Sequence, residues 1–229
     1  MNKEKMKKWN QRLLYFLIIC LVIDIYLIFI YSPLEKSMGI IQKIFYLHLT
    51  CAWIGFLAFF VVFVLSIVYL KYRNLWINHL ALASAELGTI FITMVLISGS
   101  FWARSIWNTW WTWDPRLTTT LILWFIYMAY ILIQSGGKKE KRRRFSAVYG
   151  IIAFINVPLV YFSIRWWRTI HPLVISRSGG INLTLKMAIT LIFSLFAFNL
   201  LYIYLLNLRY SIIKLNFQIE KIKFKIGRK

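Results

Sequence analysis

The chain falls into six apolar blocks of about 20 residues, at 13–31, 46–70, 79–98, 117–134, 145–164 and 185–208. A helix of that length rises about 30 Å, the hydrocarbon thickness of a bilayer. Lipid offers a backbone amide no partner, so each block must be a helix that closes its own hydrogen bonds. The expected fold is therefore all-α: a polytopic integral membrane protein, one domain over residues 1–229, with six transmembrane helices. Pro33 closes the first span, and Pro158 predicts a kink in the fifth. Composition agrees: 60% of the residues are apolar or aromatic, above the roughly half expected of a soluble domain. The opening MNKEKMKK resembles the start of a signal peptide. The run after it is too long for an h-region, lacks a small-residue cleavage site and precedes five more spans, so it reads as a retained helix.

Charge gives the orientation. There are 28 Lys+Arg against 7 Asp+Glu, a formal +21. Twenty of the basic residues fall in the N-terminal segment, the second-to-third connection, the fourth-to-fifth connection and the tail; eight fall in the alternate loops. The positive-inside rule places both termini in the cytoplasm, as an even number of spans requires. Basic residues on that face then serve as topology signals and anionic-lipid contacts, and no nucleic-acid partner is needed to explain them. The basic tail 209–229 mixes Lys with Ile, Leu and Phe; a leaflet-bound helix, a partner contact and a solvated tail all fit it.

Absent motifs exclude several chemistries. Cys20 and Cys51 form no C-x-x-C, so a thioredoxin-like centre or zinc ribbon is not expected, and no C-x-x-C-H provides for covalent haem. No P-loop is present. Both cysteines read as packing residues.

The alternate, outer loops carry the unusual composition. The loop 99–116, between the third and fourth spans, reads GSFWARSIWNTWWTWDPR and holds Trp102, Trp107, Trp110, Trp111 and Trp113. Trp166 and Trp167 open the next outer loop, 165–184. An interfacial aromatic belt would spread tryptophans over both faces, yet seven of eleven lie in these two loops, which favours a platform for a flat ligand. Of three histidines, His79 reads as an interfacial polar residue. His48 and His171 each read alone as structural, but topology puts both beside the tryptophans. Two neutral imidazoles there could hold one metal from opposite faces, as in a bis-histidine haem, and Arg104, Arg116, Arg165, Arg168 and Arg177 could meet propionates. Asp114 fits a local ion pair or an Asx turn before Pro115 as well as a ligand contact. Asp24 and Glu86, within spans, fit either helix–helix bonds or a function.

The segment WWTWDPRLT resembles the WWD signature of haem-handling proteins. The similarity extends to YLHLTCAW, GSFWARSIWNTWWTWDPRLTTTLILWFIY and NVPLVYFSIRWWRTIHP, in the family's order and across all three outer regions. With its length, six spans and basic tail, the chain resembles the CcmC family, the haem exporters C of system I cytochrome c maturation. That resemblance implies haem b, held non-covalently on the outer face and passed on to the chaperone CcmE. It implies His48 and His171 as axial ligands and a platform of Trp110, Trp111, Trp113 and Asp114, extended by Arg116 and Leu117. Trp102, Trp107, Trp166, Trp167 and Arg168 complete the expected haem contacts. The implied partners are the ATPase CcmA, the membrane subunit CcmB and the small protein CcmD. ATP hydrolysis would belong to a partner, and this chain would be a transfer subunit and not an enzyme. The implied location is a prokaryotic inner membrane with the site on its periplasmic face, the mitochondrial inner membrane being second. Pro115 and Pro172 depart from the common pattern, and Pro115 is frequent in the related system II synthases. Those usually carry an extra histidine pair within the membrane, which His79 alone cannot supply. An electron-transferring b-type cytochrome and a scaffold subunit are the other readings.

Overall fold

The structure, a computed structural model, describes residues 3–35, 38–135, 140–167 and 183–226. Helix α1 (Lys3–Tyr26) continues as a π-helical turn, Leu27–Tyr31. A 3-10 turn, Ile40–Lys43, leads into α2 (Ile44–Tyr72), followed by α3 (Leu75–Trp107) and α4 (Pro115–Ser135). Then come α5 (Glu140–Ala153), α6 (Asn156–Trp166) and α7 (Leu185–Ile226). Among the described residues there is no strand. Six helical stretches are long and apolar enough to cross a membrane, α5 and α6 together making the fifth.

The helices outrun the apolar blocks. At 33 residues α3 is about 50 Å long and at 42 residues α7 is about 63 Å, against about 30 Å of hydrocarbon. Apolar length marks the part of a helix that lipid covers, and the backbone ladder continues beyond it. This corrects two boundaries. Trp102 and Trp107 lie on α3, so the segment 99–116 is non-helical only over 108–114, and the basic tail is helical as far as Ile226. Helix α3 stops at Asn108, whose left-handed φ of 55° suits a C-terminal cap; its carbonyl accepts a 2.9 Å bond from Arg104. The kink expected at Pro158 is a full break one turn upstream. Pro158 has no N–H for the carbonyl of Phe154 and its ring crowds that group. The chain substitutes tighter bonds, Ile155 N to Ile152 O (3.1 Å) and Val157 N to Phe154 O (3.0 Å).

Helices α2 and α3 approach most closely, and the approach depends on glycine. A Cβ on Gly55 would stand 2.5 Å from Ile92 Cδ1, and one on Gly88 would stand 2.6 Å from Phe59 Cε1. Lipid tails are as apolar as leucine, so helices in a bilayer associate through such close packing and through polar bonds. Phe59 is fully buried and its ring stacks on Tyr127 at 3.4 Å. The main core draws on α2 to α7, with Ile54, Val62, Ile92, Leu123, Val160 and Tyr202 at its centre. A smaller cluster of Phe45, Tyr46, Trp102 and Met187 marks one end of the bundle; Tyr69, Ile77 and Ala147 mark the other.

Polar bonds tie the helices at fixed heights. Ser194 donates to Asp24 at 2.6 Å, joining α7 to α1. Arg209 grips Glu86 with two bonds, 2.5 and 2.8 Å, joining α7 to α3. Of the two readings open for these acids, the helix–helix bond is therefore the observed one. The remaining face of α1 and of the π-helical turn after it exposes Ile18, Val22, Ile25 and Phe29, a surface suited to lipid. Cys20 and Cys51 are buried free thiols.

Replacing Gly88 with Ala should destabilise the protein by about 1–3 kcal/mol, because the new methyl meets the Phe59 ring, which is already stacked on Tyr127. Thermal unfolding of the purified protein in detergent would show this as a lowered Tm; an unchanged Tm would contradict the packing described.

Candidate functional site

The end marked by Phe45, Tyr46, Trp102 and Met187 contains a cavity of about 780 Å³, a volume that includes its open mouth. One wall carries His48 from the first turns of α2 and Gly99 and Trp102 from α3. Trp107 and Trp111 form another part, and Arg116 enters from the start of α4. Phe56, Ile92, Val95 and Val160 close the deep side; among the described residues the lining is mainly aromatic and apolar, with the cation of Arg116 and the imidazole of His48.

The position of His48 is defined on three sides, all by α3. Its Nδ1 lies 2.9 Å from Ser98 Oγ, which is also 2.7 Å from the Met94 carbonyl. Its ring meets Trp102 edge-to-face, with centroids 5.9 Å apart. Gly99 leaves bare backbone beside it: a Cβ there would stand 3.2 Å from His48 Cε1.

The segment 108–114 is held by local bonds. Thr109 Oγ1 donates to the Trp111 carbonyl at 3.0 Å, and Trp111 packs edge-on against Trp113 at 5.8 Å. Trp110 packs against Phe101, with the Arg104 guanidinium 5.8 Å from its ring centroid. Asp114 caps α4. Its Oδ1 accepts from Arg116 N at 2.9 Å, its carbonyl accepts from Thr118 N at 2.9 Å, and Pro115 takes the first helical position. The Asx-turn reading thus describes Asp114, which is buried. The indole N–H of Trp111 and the hydroxyl of Thr112 are buried without a hydrogen-bond partner.

The structure brings His48, Trp102, Trp107, Trp111 and Arg116 onto one cavity. It leaves Trp110 and Trp113 exposed on the adjoining segment, the latter at 77%. Trp166 and Trp167 are exposed at the end of α6, with Phe162 and Trp166 stacked at 5.3 Å. His171, Arg168 and Arg177 lie outside the described residues. His79 packs on Phe217 of α7, towards the end of the bundle opposite His48. The sequence reading missed Ser98 and Gly99, whose only signal was their place one turn before Trp102. Among the described residues no three His, Cys, Asp or Glu side chains group as a metal cage.

Known proteins are similar to this chain over nearly its whole length. The profile of a family described as Heme exporter protein C matches residues 2–223. The Heme exporter protein C of Bradyrhizobium diazoefficiens is 32% identical over 174 residues, which are 75% of this chain and 66% of that protein. That of Haemophilus influenzae is 28% identical over 182 residues, 79% and 74% of the two chains. A ccmC-like mitochondrial protein of Marchantia polymorpha, named for cytochrome c biosynthesis, is 32% identical over 196 residues, 85% and 84%.

The cap predicts how Asp114 responds to substitution. Asp114→Asn keeps an accepting oxygen and should leave stability near that of the parent, whereas Asp114→Ala should cost about 1 kcal/mol. Equal losses in the two variants, read by thermal unfolding, would exclude capping as the main role.

Proposed function

The chain belongs to the haem exporter protein C family, and on that premise we propose that it is the subunit that holds haem b at the outer membrane face and releases it to the chaperone CcmE. The observation that carries this reading is the single cavity uniting His48, three tryptophans and Arg116 at one end of the bundle. These residues fit haem. Indole faces suit a porphyrin ring, and the bare Gly99 admits a flat group beside His48. The unspent indole N–H of Trp111 is a donor for a polar edge. Arg116 would meet a propionate, assisted by Arg104 and Arg168.

In this proposal His48 and His171 would hold the iron, each through a neutral imidazole. The exposed rings of Trp110, Trp113, Trp166 and Trp167 extend the platform outward, where CcmE would receive the cargo. The far end of the bundle supports the orientation: Arg73, Arg143 and Arg144 gather there around Glu140, as expected of a cytoplasmic face. The membrane is then a prokaryotic inner membrane, with the site on its periplasmic side. CcmB and CcmD share the bilayer, and CcmA hydrolyses ATP. This chain makes and breaks no covalent bond; it binds, orients and releases. An electron-transferring b-type cytochrome with haem inside the bilayer is less well supported. His48 and His79 occupy opposite ends of α2 and α3, too far apart to share an iron.

The test is the double substitution His48→Ala, His171→Ala in the full chain, purified from membranes. The variant should lose most of its haem and the position of its Soret band. Unchanged haem content and spectrum would refute the ligand assignment.

A further inference from the structure

We infer that Ser98 is the positioning residue for His48: its oxygen accepts the Nδ1 proton and so makes Nε2 the nitrogen that binds iron. The inference rests on His48 being an iron ligand. Ser98 Oγ is 2.7 Å from the carbonyl of Met94 and 3.3 Å from that of Val95, and both oxygens can only accept. The hydroxyl has one proton, and these carbonyls, in the turn below, take it. Towards His48, 2.9 Å away, the same oxygen is therefore an acceptor, and the proton on that line belongs to the imidazole. A neutral imidazole carries one N–H, so its other nitrogen, Nε2, is the basic one.

The geometry around this bond makes it specific. Ser98 is nearly buried, so water is poorly placed to replace it. Gly99 lets the ring lie against the backbone of α3, and Trp102 meets the ring from the next turn. One turn of α3 thus supplies the acceptor, the clearance and the aromatic wall, 50 residues from His48 in sequence. Metal-bound histidines characteristically donate their second N–H to such an acceptor, which fixes ring orientation and raises ligand basicity. Helix-to-helix adhesion is the competing role for Ser98, and it would affect stability alone.

The experiment compares the full chain with Ser98→Ala, Ser98→Thr, Ser98→Cys and His48→Ala, each purified in detergent and titrated with haemin. Affinity, absorption spectrum and midpoint potential are recorded, together with Tm. Ser98→Ala should bind about tenfold more weakly, within the 10–100-fold range seen when outer-shell partners are removed. Its midpoint potential should rise, because a less basic imidazole stabilises ferric iron less. Ser98→Thr keeps the hydroxyl and should restore both values, and Ser98→Cys, a weaker acceptor of similar size, should fall between. If Ser98→Ala and Ser98→Cys match the parent in affinity and potential, with or without a lower Tm, the inference is overturned. If His48→Ala itself leaves the spectrum and affinity unchanged, the ligand assignment has failed, whatever Ser98 does.

Discussion

The seam between α2 and α3 is the contact on which the rest of the molecule depends. Its pairs run antiparallel along the two helices: His48 with Gly99, Gly55 with Ile92, Phe59 with Gly88, and Ala58 with Ser84. Glycine stands at three of these four contacts and lets a large side chain of the facing helix come within reach of bare backbone. In water such a seam would be reinforced by the exclusion of solvent. In lipid it holds through close packing and a few polar bonds. The same run of contacts that closes the core at Phe59 delivers His48 to Ser98 at the end of the bundle, so the histidine inherits its place from the packing beneath it.

The cavity combines a fixed floor with an exposed rim. Its deep side consists of residues that belong to the main core, including Ile92 and Val160. The adjoining segment carries tryptophans that stay exposed, Trp110 and, above all, Trp113. A ligand seated between them would be oriented by the floor while its outer edge remained within reach of another protein. That division suits the transfer role proposed for this chain, since a fully enclosed site would hold its ligand more tightly and release it more slowly. The cap at Asp114 contributes by fixing where α4 begins, and so where Arg116 enters the cavity.

The spans were legible because lipid enforces one rule, about 20 apolar residues per crossing, on every segment. The aromatic and basic residues of 99–116 were legible as a cluster because topology puts them on one side. The extent of α3 was not, because a helix leaving the bilayer becomes polar without ceasing to be a helix; Trp102 and Trp107 therefore looked like loop residues. The break at Phe154 appeared a turn away from Pro158, as proline acts on the carbonyl four residues before it. Ser98 was hidden for a different reason. A serine in an apolar run ordinarily bonds back to its own helix, as this one does to Met94, and only the three-dimensional approach of α2 reveals its second bond. The partners of Asp24 and Glu86 lie 170 and 123 residues away, beyond the reach of any local pattern.

Helix α7 has a mechanical consequence. It is one unbroken rod from Leu185, whose neighbour Met187 packs into the cluster beside Trp102, to Ile226 well past the apolar core. Its attachments are spread along that length: Ser194 to Asp24, Tyr202 to Ser84, and the paired hydrogen bonds of Arg209 to Glu86. From Arg209 the helix runs about 33 Å back to Met187 and about 26 Å on to Ile226 at 1.5 Å per residue. The bonds fall between Met187 and Arg209, so α7 is braced against α1 and α3 there, and the lysine-rich stretch beyond Arg209 extends from a fixed base. Two compartments separated by a bilayer are in this way connected by a single stiff element.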